Sequence, residues 1–92
     1  MARPTESQLY QELMISEFSF MERGINHIHI IYEAVKKCFP QLCDDNYLCS
    51  ENCKKGSNQP EWNHTVRGAL QQLKSDNGTV RYTGNRGFWE FR

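Results

Sequence analysis

Apolar side chains recur along much of this chain at helical spacing. Leu9 and Leu13, with Tyr10 and Met14 beside them, form a stripe that predicts a first helix. Its start is expected near Thr5, where Thr5 and Gln8 make a capping-box pattern and Pro4 lies just outside. Phe18, Phe20 and Met21 either extend this helix or form a short buried segment, which Gly24 punctuates. Ile28, Ile31, Tyr32 and Val35 fall at i, i+3, i+4 and i+7 and predict a second helix, with Asn26 as a candidate cap. Lys36 and Lys37 suit its last turn, where they oppose the negative end of the helix dipole, and Pro40 stops it. Val66, Ala69, Leu70 and Leu73 repeat the pattern and predict a third helix over about residues 63–76, ended by Asn77-Gly78. Two β-rich runs follow, residues 79–83 and 88–91, joined by the turn signal Gly84-Asn85-Arg86-Gly87. Alternation along the second run turns Trp89 and Phe91 inward, with Val80 as their neighbour.

Residues 39–61 break the pattern. Asp44, Asp45, Asn46, Ser50, Asn52, Gly56, Ser57, Asn58 and Pro60 are turn formers, and a structureless connection of that length is uncommon in a compact domain. Either short helical turns or a cross-link should order it. Cys38, Cys43, Cys49 and Cys53 offer the cross-link. Four thiols within sixteen residues suit one tetrahedral structural zinc, although the tight Cys-x-x-Cys pairs of most zinc knuckles are missing. His64 is the alternative fourth ligand if Cys38 instead finishes the buried stripe of the second helix beside Ile31. Disulfides and free thiols are the other states that the spacing admits. Asp44-Asp45 reads as a solvated turn or cap, and His27 and His29, two residues apart, as solvent-facing or packing groups.

A chain of 92 residues fits one domain, so residues 1–92 are expected to fold as a unit with 39–61 inserted in it. No apolar run approaches the roughly 18 residues that a membrane span needs. The opening Met-Ala-Arg-Pro-Thr-Glu-Ser lacks the apolar core of a secretory signal, which leads to a cytoplasmic expectation and reduced thiols. Formal net charge is zero, but it is unevenly placed. Residues 1–61 carry six basic and nine acidic side chains, a balance of −3; residues 62–92 carry five basic and two acidic, a balance of +3. Positive potential therefore gathers on the C-terminal third. Neither a Ser-His-Asp set nor a phosphate-cradling glycine motif is present, so no enzymatic activity is expected.

With Val66 at the centre of the buried face, His64, Gly68, Gln71 and Ser75 point away from the core. Arg67 and Lys74 then lie on one flank, and Thr65 and Gln72 on the other. Such a face suits readout of base edges: Gln can pair with adenine and Arg with guanine. Gly68 is unfavourable within a helix by about 1 kcal/mol against Ala, yet it would let another backbone approach closely. The hairpin adds Arg81, Asn85 and Arg86.

Three helices followed by a hairpin is the element order of a winged helix-turn-helix. The stretch Trp62-Asn63-His64-Thr65-Val66-Arg67-Gly68-Ala69-Leu70-Gln71-Gln72-Leu73-Lys74 resembles the recognition helix of that family. Gly78-Thr79-Val80-Arg81 and Arg86-Gly87-Phe88-Trp89-Glu90-Phe91 resemble its wing. The likeness spans about residues 27–92 and is in particular to the small winged-helix modules attached to restriction endonucleases. It implies an α+β winged helix that binds double-stranded DNA, with the third helix in the major groove and the wing on the backbone or minor groove. The DNA-binding residues it points to are His64, Thr65, Arg67, Gly68, Gln71, Lys74, Arg81, Asn85 and Arg86. Two features depart from the family pattern: the Cys-rich insertion, and the absence of anything resembling a nuclease centre. The alternative is a winged-helix domain that binds protein rather than DNA, and a homodimer stays open.

Overall fold

The computed structural model describes residues 4–47, 60–76 and 78–92. Helix α1 spans Pro4–Ser16 and buries Leu9 and Leu13 completely. It begins one residue before the expected cap, so Thr5 lies inside it. Beyond Ser16 the chain neither continues the helix nor runs extended. Glu17 and Phe18 adopt φ of 51° and 56°, a left-handed conformation uncommon for bulky side chains. The resulting turn is closed by Met21 N donating to Phe18 O at 3.0 Å. It drives Phe18 into the core, where its ring lies 5.7 Å from that of Phe20 and 5.6 Å from that of Phe91. The Arg23 guanidinium donates to the carbonyls of Phe18 (2.7 Å), Met21 (3.1 Å) and Arg92 (3.2 Å), tying this turn to the end of the chain.

Strand β1, Gly24–His27, follows, and was not anticipated from the sequence pattern. It joins β2 (Val80–Tyr82) and β3 (Phe88–Phe91) in an antiparallel sheet of order β1-β3-β2. Gly24 faces Phe91 and His27 faces Phe88 across one edge of β3; Val80 faces Phe91 across the other. Val80, Trp89 and Phe91 are buried, as alternation predicts.

Helix α2, Ile28–Cys38, starts directly from β1, and its first backbone N–H, at Ile28, donates to Gly87 O at 2.7 Å. Its cap is His27, not Asn26: His27 Nδ1 accepts from His29 N at 3.2 Å. The Asn26 amide instead donates back to the carbonyls of Glu22 and Gly24. The buried stripe ends at Val35. Cys38 is exposed, so it does not extend that stripe beside Ile31; Phe39 closes the helix through its N–H to Val35 O and packs against the core's edge.

A 3-10 turn at Pro40–Leu42 supplies one of the helical turns sought in the polar segment. Cys43 then enters the core. Asp44 and Asp45 act as local ties. Asp44 Oδ1 accepts from Asn46 N at 2.9 Å, while Asp45 accepts from Trp62 Nε1 at 2.9 Å and pairs with Lys36. Hydrogen bonds from Lys36 and Trp62 hold the Asp45 carboxyl below the usual range. Glu61 N donates to Tyr47 O at 2.9 Å, which holds Tyr47 beside the start of the next helix. Ser50, Asn52, Gly56, Ser57 and Asn58 lie outside the described residues.

Helix α3 runs Glu61–Asp76, two residues earlier than its stripe implied, because Trp62 is buried and extends the apolar face. Gly78 takes the left-handed conformation (φ 74°) that the helix end requires. The layout is α+β, with three α-helices and a three-stranded antiparallel sheet among the described residues, and is compatible with a winged-helix-like arrangement. No helix among those residues is long and apolar enough to cross a membrane.

Candidate nucleic-acid interface

The packing of α1 against α3 leaves the opposite flank of α3 facing the start of α2 and the β2–β3 hairpin. Between them lies an open cleft of about 720 Å³. Asn63, Arg67, Gln71 and Lys74 line it from α3, one helical turn after another. Arg86 and Gly87 line it from the hairpin turn, and the rings of Tyr32, Tyr82 and Trp89 form much of the rest. Arg67, Lys74 and Arg86 bring three positive charges, and among the described residues no Asp or Glu lines the cleft.

The hairpin turn is held by local hydrogen bonds. Phe88 N donates to Asn85 O at 3.0 Å, and Asn85 N donates to Thr83 Oγ1 at 3.2 Å. Gly87 has φ of 85°, and a Cβ there would meet His27 Nε2 at 3.2 Å, so this position needs glycine both for its backbone and for its space. His27 thereby connects the start of α2 to the hairpin, with its ring also against Phe88 at 4.8 Å. The His29 ring stacks on His27 at 5.0 Å and reaches the cleft.

The residues expected to touch DNA divide into three groups. Arg67, Gln71, Lys74 and Arg86 meet in the cleft. His64, Thr65 and Gly68 line a separate groove against α1, where Glu6 and Glu61 are neighbours. Arg81 points to the other face of the sheet from Trp89 and pairs with Glu90, its Nε donating to Oε1 at 2.7 Å; Asn85 is exposed at the turn. Asn63 joins the cleft group although it sits at the expected start of the helix; its spacing of four from Arg67 is the sequence signal for it.

His64 does not simply face solvent. The Arg67 guanidinium lies 3.1 Å from its Nδ1, and only a neutral imidazole accepts that hydrogen bond. Burial and the Arg67 charge lower the His64 pKa, with Glu61 opposing, which favours that neutral form. Beside Arg67, burial raises the pKa of Tyr32 while the guanidinium opposes the rise.

Comparison with protein-family models, curated proteins and solved structures finds no match.

The cysteines within the described residues occupy unlike surroundings. Cys38 is exposed and Cys43 is buried; both are unbridged, while Cys49 and Cys53 lie outside the described residues. Burial pushes the Cys43 thiol up to about 12, with Asp45 and Glu6 adding and Lys36 opposing. Without a metal, Cys43 is therefore a protonated core group at neutral pH. Timed alkylation of metal-free protein at pH 8 should modify Cys38 much faster than Cys43. Equal rates would contradict the core placement.

Proposed function

We propose that this chain is a winged-helix module that binds double-stranded DNA, with residues 39–61 as a Cys-rich insertion between its second and third helices. The cleft flank of α3 enters the major groove, and Arg86 at the hairpin turn meets the backbone or minor groove. The observation that supports this reading best is the cleft, free of Asp and Glu among the described residues, where Arg67, Lys74 and Arg86 surround hydrogen-bonding and aromatic groups. An anionic, groove-bearing polymer matches that combination of charge and edge-reading side chains. Neither Glu6 nor Glu61 lines the cleft, so a phosphate there avoids both carboxylates. Titration of a labelled duplex into the protein at low salt tests the proposal; saturable binding, competed by unlabelled duplex, is the expected result. A protein partner would instead draw on exposed apolar groups such as Ile25 and Ile30, and its binding would lack a steep salt dependence.

Gly68 offers an independent check. It is exposed in mid-helix, and a Cβ built there meets nothing within 4 Å, so no contact inside the domain requires glycine. Gly68→Ala should therefore stabilise the fold by about 1 kcal/mol. Gly68 lines the groove against α1 rather than the cleft, so under the proposed docking duplex affinity should stay unchanged. A more stable variant with weakened duplex binding would instead move the interface toward the groove against α1.

The cysteine spacing supports one structural zinc at Cys43, Cys49 and Cys53, completed by Cys38 or His64. Metal analysis of protein purified without added metal should find about one zinc per chain. No zinc, with all four thiols titrating after unfolding, contradicts this.

A further inference from the structure

Asn63 and Arg67 stand out among the groups lining the cleft. They lie one turn apart on the same flank of α3. Asn63 Oδ1 and Arg67 Nε are both buried and have no hydrogen-bond partner among the described residues. Buried polar atoms are usually paired, so each unpaired one calls for a partner such as water, an ion or a ligand group. No carboxylate among the described residues pairs with Arg67; its side chain meets the neutral ring of His64, at 3.1 Å from Nδ1 and 3.4 Å from Nε2. That contact fixes the direction of the guanidinium without neutralising it.

The chemistry of these two side chains is selective. A guanidinium presents parallel N–H donors that match O6 and N7 of guanine, and an asparagine amide matches N6 and N7 of adenine. Four residues of helix rise about 6 Å, against about 3.4 Å per base step. Two side chains so spaced reach base pairs one or two steps apart.

We propose that Asn63 and Arg67 are the base-reading pair of this site, selecting an adenine and a guanine one or two steps apart, and that His64 is a positioning residue for Arg67. The proposal rests on the duplex-binding reading above. Leaving its resting place to meet a base edge, each side chain gains partners for an atom that has none among the described residues. Lys74 and Arg86 are left to the phosphates, where charge matters and geometry matters less.

The test is selection of binders from a duplex pool with a randomised centre, followed by affinity measurements on the selected site. The expected site contains a guanine and an adenine at fixed spacing. Replacing that guanine with 7-deazaguanine, which lacks the N7 acceptor, should weaken binding by about 5- to 150-fold. Arg67→Ala should relax the guanine position alone and Asn63→Ala the adenine position alone, while Arg67→Lys should keep general affinity and lose the guanine preference. His64→Ala should blur the guanine position, and His64→Gln, which restores an acceptor, should recover it. Duplex binding with no base preference, or equal losses on every sequence in these variants, overturns the base-reading pair and leaves duplex binding standing. Absence of duplex binding at low salt overturns both.

Discussion

Phe18→Ala is expected to destabilise the fold by about 3–5 kcal/mol, a large part of what a domain of this size can hold. Phe18 has no solvent exposure and contacts Phe20 and Phe91 at ring distances of 5.7 and 5.6 Å. It therefore joins the turn after α1 to the strand at the centre of the sheet. Alanine removes the ring and leaves a cavity, while the left-handed backbone at φ 56° remains costly for alanine as well. Urea unfolding measures the effect. A loss below about 1 kcal/mol would mean that the turn does not anchor the core as described.

This residue also illustrates which parts of the fold were legible in the sequence. Helices α2 and α3 and the hairpin follow from apolar spacing, because each buries one regular face: Ile31 and Val35, Val66 through Leu73, and Val80 with Trp89 and Phe91. The turn at Glu17 and Phe18 has no such signal, since nothing local marks a phenylalanine for positive φ. Strand β1 is equally silent. It is four residues long, Ile25 at its middle is exposed, and it exists through pairing with residues more than sixty positions away. The candidate site was legible where a flank of one helix sufficed, as for Arg67, Gln71 and Lys74. It was not legible where a cross-strand partner decides the outcome. The pairing of Arg81 with its register neighbour Glu90 is one such case. The contact of His64 with Arg67 is likewise invisible in the helix pattern, which places His64 toward solvent.

Reversing two cleft charges, Lys74→Glu with Arg86→Glu, should weaken duplex binding by about a hundredfold at low salt. Each phosphate contact contributes about 0.9 to the slope of log affinity against log salt, so two contacts account for about a 12-fold loss between 50 and 200 mM. Removing both contacts costs at least that much, and placing carboxylates there adds repulsion of comparable size. Both side chains are exposed, so thermal stability should change little. Arg81→Ala is the matched control. Its charge is paired with Glu90 outside the cleft, so duplex affinity should fall by less than about threefold. A larger effect from Arg81 than from Lys74 and Arg86 together would move the interface to the other face of the sheet.

The most direct measurement is the affinity of the unaltered protein for a duplex across a salt series at constant pH. Two to three cleft cations on phosphate predict a log–log slope of about −1.8 to −2.7. Binding that ignores salt, or no binding at 50 mM, would contradict a DNA interface built on Arg67, Lys74 and Arg86.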